Sequence, residues 1–223
     1  MKLIKLLFRI NWWYTLLINF KYLPLKKAIK FPIWIFGRID AQSLKGTILI
    51  NGKVSPGLVR FGESSVGIFD TKQRSVLNII GELIFNGSAH IGRGSSLSVG
   101  PGAKIILGNK FKVTAKSSIV ASGSRSVIIG NDCIFSWDIL IMNTDFHKIM
   151  DVGTSNVINQ PADVIIGNHV WVGLGVTILK GSRVSDNCVI AARSLVSGNL
   201  PHEHSIFGGT PAKLIKNNIH WEG

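Results

Sequence analysis

The chain has 223 residues, enough for one large domain or for one domain with an extension. Its formal net charge of +13 favours anionic partners such as phosphorylated cofactors and anionic lipid, and no nucleic-acid-binding motif accompanies that charge. The two cysteines, Cys133 and Cys188, are too few for a disulfide framework, so we expect buried, reduced thiols in a cytoplasmic protein.

Residues 1–45 form a basic, amphipathic segment that carries nine cations and one acid, Asp40. Arg9 interrupts the apolar stretch near the start, so it resembles neither a secretory signal nor a spanning helix. Pro24 and Pro32 divide the segment into short, partly helical pieces rich in Trp, Phe and Lys. Such pieces are typical of membrane interfaces, so we predict peripheral docking on the anionic inner face of a bacterial plasma membrane. A second interpretation is that the segment caps the end of the following domain.

An apolar or small residue recurs every six positions through most of the remaining chain. Earlier runs extend from Ile79 to Ala103 and, after a slip of two, from Phe111 to Ile141. The clearest run has the anchors Ile166, Val172, Ile178, Val184, Ile190 and Val196, with small or medium residues four positions after each anchor. A period of six matches neither an ordinary strand nor a helix, and it is typical of a solenoid of short strands. We therefore predict an all-β solenoid over residues 46–200, followed by a C-terminal tail at 201–223.

The segment NTDFHKIMD interrupts this pattern, because His147 occupies the slot where the next anchor is expected. Asp145 lies two residues before it, on the same side of an extended chain. Residues 148–165 then break the repeat and are too long for a corner, so we predict a projecting loop. Histidine titrates near neutral pH and suits a general base, although a lone histidine is also common as a surface turn residue.

Two long motifs resemble the hexapeptide-repeat acyltransferases. They are VIIGNHVWVGLGVTILKGSRVSDNCVIAARSLVSGNLP and, after it, IFGGTPAKLIK, and the resemblance covers roughly residues 60–221. NFKYLPLKKAIKFP and NTDFHKI are similar to enzymes that acetylate bacterial surface polysaccharides or their precursors. The resemblance implies a left-handed parallel β-helix of triangular section. It also implies a homotrimer with its sites between neighbouring subunits.

The resemblance further implies O-acetyl transfer from acetyl-CoA to a saccharide hydroxyl within one ternary complex, without a metal. His147 would be the general base and Asp145 would orient its imidazole ring. Contacts to an acceptor, which could be lipid-linked, are expected from Trp137 and Asn143. The acetyl-CoA site is expected to include Trp171, Gly173, Ala192 and Ser197, with Lys213 and Lys216 at the phosphates and Arg193 replacing a charge that Gly198 lacks.

Three other functions stay open at this point. A xenobiotic acetyltransferase would share the fold and the base, but a freely diffusing drug requires no basic, aromatic segment at a membrane. A zinc enzyme of carbonic anhydrase type needs three histidines, and Leu174 stands where the third is expected. A non-enzymatic scaffold or nucleic-acid binder would depend on net charge alone.

Overall fold

The computed structural model describes residues 6–63, 67, 70 and 72–223. Two helices open this part of the chain, α1 (Trp12–Tyr22) and α2 (Leu25–Ala28). The side chain of Asn11 caps α1 by accepting a hydrogen bond from the backbone N–H of Tyr14 at 3.3 Å. In the described part of the chain, no helix is long and apolar enough to cross a bilayer.

Most of the described chain forms three β-sheets that wrap around one core. Sheet 1 contains β1 (Ile33–Ile35), β4 (Val59–Phe61), β7 (Ala89–Ile91), β10 (Phe111–Ala115), β13 (Ile134–Trp137), β16 (Trp171–Val172), β19 (Val189–Ile190), β22 (Ile206–Gly209) and β23 (Ala212–Lys216). Sheet 2 contains β2 (Ile39–Leu44), β5 (Ser75–Ile79), β8 (Ser96–Val99), β11 (Ser118–Ala121), β14 (Leu140–Met142), β17 (Thr177–Ile178) and β20 (Leu195–Val196). Sheet 3 contains β3 (Thr47–Ile50), β6 (Glu82–Phe85), β9 (Lys104–Leu107), β12 (Ser126–Ile129), β15 (Val164–Ile166), β18 (Arg183–Val184) and β21 (Asn199–Leu200).

Successive strands move from sheet 1 to sheet 2 to sheet 3, so three consecutive strands make one coil and β1–β3 form coil 1. Each strand pairs in parallel with its equivalents in the neighbouring coils, and among the named strands of the described chain only the last pair, β22 with β23, is antiparallel. The prediction of an all-β solenoid is confirmed. The first corner joins sheets 1 and 2, the second joins sheets 2 and 3, and the third joins sheets 3 and 1.

Alternating burial along most strands after β2 directs every second side chain into the core. The third corner is held by a ladder of amide and carboxylate side chains. The backbone N–H of Asn109 donates to Asn131, that of Asn131 to Asn168, and that of Asn168 to Asp186, each at 2.8 Å. Each bond joins one coil to the next, so the ladder fixes how the coils stack and satisfies corner backbone groups.

Three predicted boundaries are wrong. The solenoid begins at Ile33 rather than at residue 46, because β1 and β2 already pair with the second coil. A bulge between Ala41 and Ser43 disrupts the register there and hides the six-residue period. The predicted tail supplies β22 and β23 to sheet 1. The loop occupies 143–163, since Val164 already begins β15.

Both cysteines face the core. Cys133 and Cys188 are fully buried and free, as predicted from their positions in the repeat. Burial raises the pKa of the Cys133 thiol to about 12 and that of Cys188 to about 11. Both thiols therefore stay protonated at neutral pH and act as small core side chains.

Candidate functional site

His147 lies in the 143–163 loop, which leaves the solenoid at the second corner of coil 5. The loop folds back on itself through an antiparallel bridge between Met150 and Val157. The side chain of His147 is exposed, and no described residue hydrogen-bonds to its ring. Its backbone N–H donates to the carbonyl of Asp145 at 2.8 Å, which holds the turn before the ring. The imidazole is therefore presented to solvent on a constrained turn.

Asn159 and Lys180 fix the base of this turn. The Nδ2 group of Asn159 donates to Oδ2 of Asp145 and to the carbonyl of His147, both at 2.8 Å. Its Oδ1 accepts from the backbone N–H of Ile149 at 2.7 Å. Lys180, from the same corner of the next coil, donates through Nζ to Asp145 at 2.5 Å and to the carbonyl of Asn159 at 2.9 Å. These contacts tie both ends of the loop to the solenoid.

Asp145 does not have the role predicted for it. Hydrogen bonds from Lys180, and then from Asn159, lower the pKa of its carboxyl, so it is ionised at neutral pH. The described contacts of this carboxylate include neither ring nitrogen of His147. Asp145 therefore helps to hold the loop through Asn159 and Lys180 and does not orient the imidazole of His147.

A cavity of about 460 Å³ opens beside His147. Its walls come from the second corner of coil 4 and from both arms of the loop, and they are Ser122, Gly123, Ser124, Thr144, Phe146, His147, Lys148, Val157, Asn159, Gln160 and Pro161. The lining combines hydroxyl and amide groups with an aromatic ring. Such a surface suits a polar ligand with apolar faces.

The two predicted acceptor contacts differ in their accessibility. Asn143 is fully buried, and its side chain bridges the backbone N–H and carbonyl of Ser122 at 2.8 and 3.1 Å. Both ends of its amide are thereby satisfied, so Asn143 holds the corner and does not reach an acceptor. Trp137 is half-buried at the end of β13, on the first corner, where its carbonyl accepts from Gly175 at 2.9 Å.

Most of the predicted acetyl-CoA residues lie at the C-terminal end of the solenoid. Gly173 and Ala192 stack at the first corner, where a β-carbon on Gly173 would come within 2.7 Å of the Ala192 backbone nitrogen. Arg193 is exposed beside them, with its N–H bonded to the carbonyl of Leu174 at 2.7 Å. Trp171 lies on the outer face of sheet 1 and is 41% exposed.

The remaining predicted residues complete this end. Lys213 and Lys216 are exposed on β23, the last strand of sheet 1. Ser197 is exposed at the second corner, two coils beyond His147. None of Arg193, Lys213 and Lys216 forms an ion pair with another described residue, so three cationic groups remain available to anions at this end.

Within one chain, sheet 2 separates His147 from Arg193. Arg193 lies at the first corner, before a strand of this sheet, and His147 lies at the second corner, after a strand of the same sheet. Between β5 and β20 the outward side chains of its strands are half-buried and uncharged, and they are Val76, Asn78, Ser96, Ser98, Ser118, Val120, Leu140, Met142, Thr177 and Leu195. An uncharged face of this length is well suited to contact another copy of the chain.

Reasoning from the sequence missed Asn159 and Lys180. Lys180 is 35 residues from Asp145 in sequence, and the two meet only because successive coils stack. Asn159 lies in an irregular loop without periodicity. No spacing pattern in the sequence indicates either contact.

Proteins of known function are similar to this chain, although no protein-family model matches it. A polysialic acid O-acetyltransferase of Escherichia coli O1:K1 / APEC is 37% identical over 120 residues, which are 54% of this chain and 38% of that protein. The putative lipopolysaccharide biosynthesis O-acetyl transferase WbbJ of Escherichia coli K12 is 32% identical over 110 residues, covering 44% and 56% of the two chains. The chain therefore spans about half, or less, of the curated relatives it matches.

The crystal structure of the polySia-specific acetyltransferase NeuO has the same fold. It matches with a TM-score of 0.54 and 24% identity, over 86% of this chain and 89% of that one. At this identity the match demonstrates shared architecture. The sequence relatives, in turn, are acetyltransferases by name.

Proposed function

We propose that the chain is a hexapeptide-repeat acyltransferase that transfers an acetyl group from acetyl-CoA to a saccharide hydroxyl, a proposal that the similarity to named O-acetyltransferases supports. The observation that carries this proposal is the exposed His147 beside a 460 Å³ cavity whose lining combines polar and apolar groups. The names of the sequence relatives support an acceptor that is a bacterial surface polysaccharide or one of its precursors. The left-handed winding of the β-helix and a cytoplasmic location are part of the same proposal.

In the proposed mechanism His147 is the general base. Acetyl-CoA supplies an acyl group that is already activated as a thioester. His147 removes the proton of the acceptor hydroxyl as its oxygen forms a bond to the thioester carbon, and then delivers that proton to the departing sulfur as the carbon–sulfur bond breaks. The acetyl group thus passes from sulfur to oxygen and the proton from oxygen to sulfur, without a covalent enzyme intermediate. Asn159, Asp145 and Lys180 hold the turn that positions the imidazole.

The cationic end of the solenoid fits the donor. Exposed Arg193, Lys213 and Lys216 can meet the phosphates of CoA, and the guanidinium of Arg193 can bind a phosphate with two hydrogen bonds. Trp171 offers an exposed ring on sheet 1. Ala192 lies beside Arg193 at the first corner, whereas Ser197 lies at the second corner, across sheet 2 from them.

The separation of His147 from Arg193 supports an assembly in which sheet 2 of each copy faces its neighbours. In a cyclic trimer the second corner of one copy can meet the first corner of the next, which brings a base and a donor site together.

Three chains of 24.3 kDa give about 73 kDa by light scattering. Ser118→Arg, in the middle of the uncharged face, should dissociate the assembly and abolish transfer. Ser126→Arg, an equally half-buried change on sheet 3, should do neither, and a fully active monomer would contradict the trimer.

The activity is tested with the purified chain, acetyl-CoA and a panel of acceptors. The panel contains an acidic polysaccharide, a lipopolysaccharide core oligosaccharide and, for the xenobiotic alternative, chloramphenicol. Mass spectrometry should show one acetyl mass added to a saccharide. His147→Ala should lower kcat by about 10²–10⁴-fold, whereas His202→Ala, an exposed histidine elsewhere, should not change it. Undiminished transfer by His147→Ala would reject this base, and transfer to chloramphenicol alone would reject the saccharide.

A further inference from the structure

Helix α1 differs from an ordinary surface helix, because two of its uncharged polar side chains point inward while its large apolar side chains point outward. Thr15 and Asn19 are fully buried together with Ile18. Thr15 Oγ1 accepts from the backbone N–H of Ile35 at 3.0 Å, and Asn19 bonds both the N–H and the carbonyl of Ile33 at 3.2 and 2.7 Å. The helix thus satisfies the free edge of β1 and closes the N-terminal end of the solenoid.

The opposite face of α1 is large and apolar. Trp13 is 73% exposed, and four further side chains on this face are between 38% and 47% exposed, namely Trp12, Leu16, Leu17 and Phe20. At 100° per residue these five span an arc of about 140°, opposite the buried arc of Thr15, Ile18 and Asn19. Much of this face is exposed to water, although an apolar surface of this kind normally lies in a protein interior.

The apolar surface continues on both sides of α1. Phe8 precedes the helix and is 86% exposed, while Leu25 and Ile29 in and after α2 are 67% and 56% exposed. Phe31 joins the two parts, because its ring makes edge-to-face contacts with Trp12 and Phe20 at 6.2 and 6.0 Å. We call these eight exposed residues, Phe8, Trp12, Trp13, Leu16, Leu17, Phe20, Leu25 and Ile29, the N-terminal apolar patch.

Cations surround this patch. Lys21, Lys26 and Lys30 are exposed, and none of them forms an ion pair within the described residues. The first acidic residue of the chain is Asp40, so residues 1–39, which contain the patch and these lysines, carry no carboxylate side chain. A surface of exposed tryptophan and leucine bordered by lysine complements a bilayer, where rings lie among the headgroups and lysines reach the phosphates.

We infer that the N-terminal apolar patch docks the protein on an anionic membrane surface. Helix α1 has eleven residues and is about 17 Å long, so it lies along the interface and does not span the bilayer. A second copy of the chain is a poorer occupant, because a symmetric contact between two such patches would bring the lysines of both copies together. This role is additional to the proposed acetyl transfer.

Docking places the catalytic loop at a defined height. Because α1 closes the solenoid at coil 1, the patch faces away from the coils, and His147 lies four coils further along. With strands about 4.8 Å apart, this separation is roughly 19 Å. If the proposed function holds, the membrane-bound enzyme reaches a hydroxyl on an extended saccharide anchored in the same bilayer.

Vesicle flotation tests the proposal with the full chain. Vesicles of phosphatidylglycerol and phosphatidylcholine in equal parts are compared with vesicles of phosphatidylcholine alone, at low and at high salt. The wild-type protein should float with the anionic vesicles at low salt and less at high salt. Leu16→Glu should lower the affinity about tenfold or more. Leu49→Glu, the same substitution at an equally exposed leucine on sheet 3, should leave it unchanged.

A second pair of variants tests the charge. Lys26→Glu should weaken binding roughly fivefold or more, because each cation near an anionic surface contributes about that factor. Lys72→Glu, an exposed lysine outside the patch, should have no effect. Absence of wild-type flotation at low salt would overturn the proposal, as would undiminished flotation of Leu16→Glu. If the wild type does not float and Leu16→Glu forms a smaller assembly than the wild type, the patch contacts another copy of the chain instead of a membrane. Acetyl transfer to a soluble acceptor without vesicles should survive Leu16→Glu, so docking and catalysis can fail separately.

Discussion

Replacing Asn159 with alanine should separate the positioning of His147 from the stability of the fold. The substitution removes three hydrogen bonds, those to Oδ2 of Asp145, to the carbonyl of His147 and from the N–H of Ile149. The backbone bond from Ile158 to Ile149 at 2.9 Å remains, so the loop stays folded back on itself. What is lost is the link between the turn that carries His147 and the returning arm of the loop.

The expected loss of stability is small and the expected loss of rate is large. Asn159 bonds two backbone groups in a partly exposed loop, and such bonds contribute about 1 kcal/mol in total. For a chain of this size that corresponds to a fall in Tm of about 2–4 °C. A catalytic group displaced by about 1 Å costs about 10²-fold in rate, so kcat should fall by this factor. The KM for acetyl-CoA should not change, because Asn159 is not among the proposed donor residues, which lie in the coils after the loop.

The assay measures kcat, KM and thermal unfolding for four proteins. They are the wild type, Asn159→Ala, His147→Ala and the double variant. If Asn159 acts through His147, the double variant should be no slower than His147→Ala alone. Asn156→Ala is the control, since its side chain lies in the same loop and forms no hydrogen bond with a described residue. A kcat within twofold of wild type for Asn159→Ala, or additive losses in the double variant, would refute the positioning role.

Three further predictions concern packing and ionisation. A β-carbon on Gly92 would lie 1.6 Å from a backbone oxygen of the next coil, so Gly92→Ala should destabilise the fold by about 2 kcal/mol or more, whereas Gly198→Ala meets nothing within 4 Å and should leave the Tm unchanged. Cys133 and Cys188 should resist a thiol reagent at pH 8 and react only in denaturant. Because the pKa of Asp145 is lowered, its tie to the loop is present above pH 3.8 and is lost as the pH falls below that value. Pepsin cleavage within 143–163 should rise as the pH falls below 3.8 in the wild type, and it should rise less in Asp145→Asn, where only Asp151 of the two loop carboxylates with a lowered pKa still titrates.

The repeat was readable from the sequence only where the coils have their minimal size. Trp171 pairs with Val189, so a coil there contains 189 − 171 = 18 residues, which is three sides of six. Phe111 pairs with Ala89, and 111 − 89 = 22 residues fill the earlier coils. A strict six-residue period therefore does not return to the same position in successive coils of that region. It placed an anchor at Gly123, which is an exposed corner residue with a positive φ of 66°.

The sequence indicates the proposed base of the candidate site, but it does not indicate the contacts that hold it. His147 stands out in the sequence because it breaks a pattern of apolar anchors. Asp145 beside it suggested an ordinary histidine–carboxylate pair, but Lys180 from the next coil takes that carboxylate instead. Asn143 resembled an acceptor contact because it begins the same motif, yet the coil before it supplies both of its hydrogen-bond partners. Contacts between stacked coils depend on residues about 20 or more positions apart, and a local motif does not reveal them.

The order of charged and uncharged surfaces along the solenoid bears on how the two substrates would reach His147. Lysines surround the N-terminal apolar patch at coil 1, whereas Arg193 and the two lysines of β23 lie beyond coil 6. Between them the outer face of sheet 2 carries no charge in its described strands from β5 to β20. An acceptor held at the membrane would approach the base from one end, and acetyl-CoA would approach it from the other. Neither substrate then blocks the other, and this is the arrangement that direct transfer in a ternary complex requires.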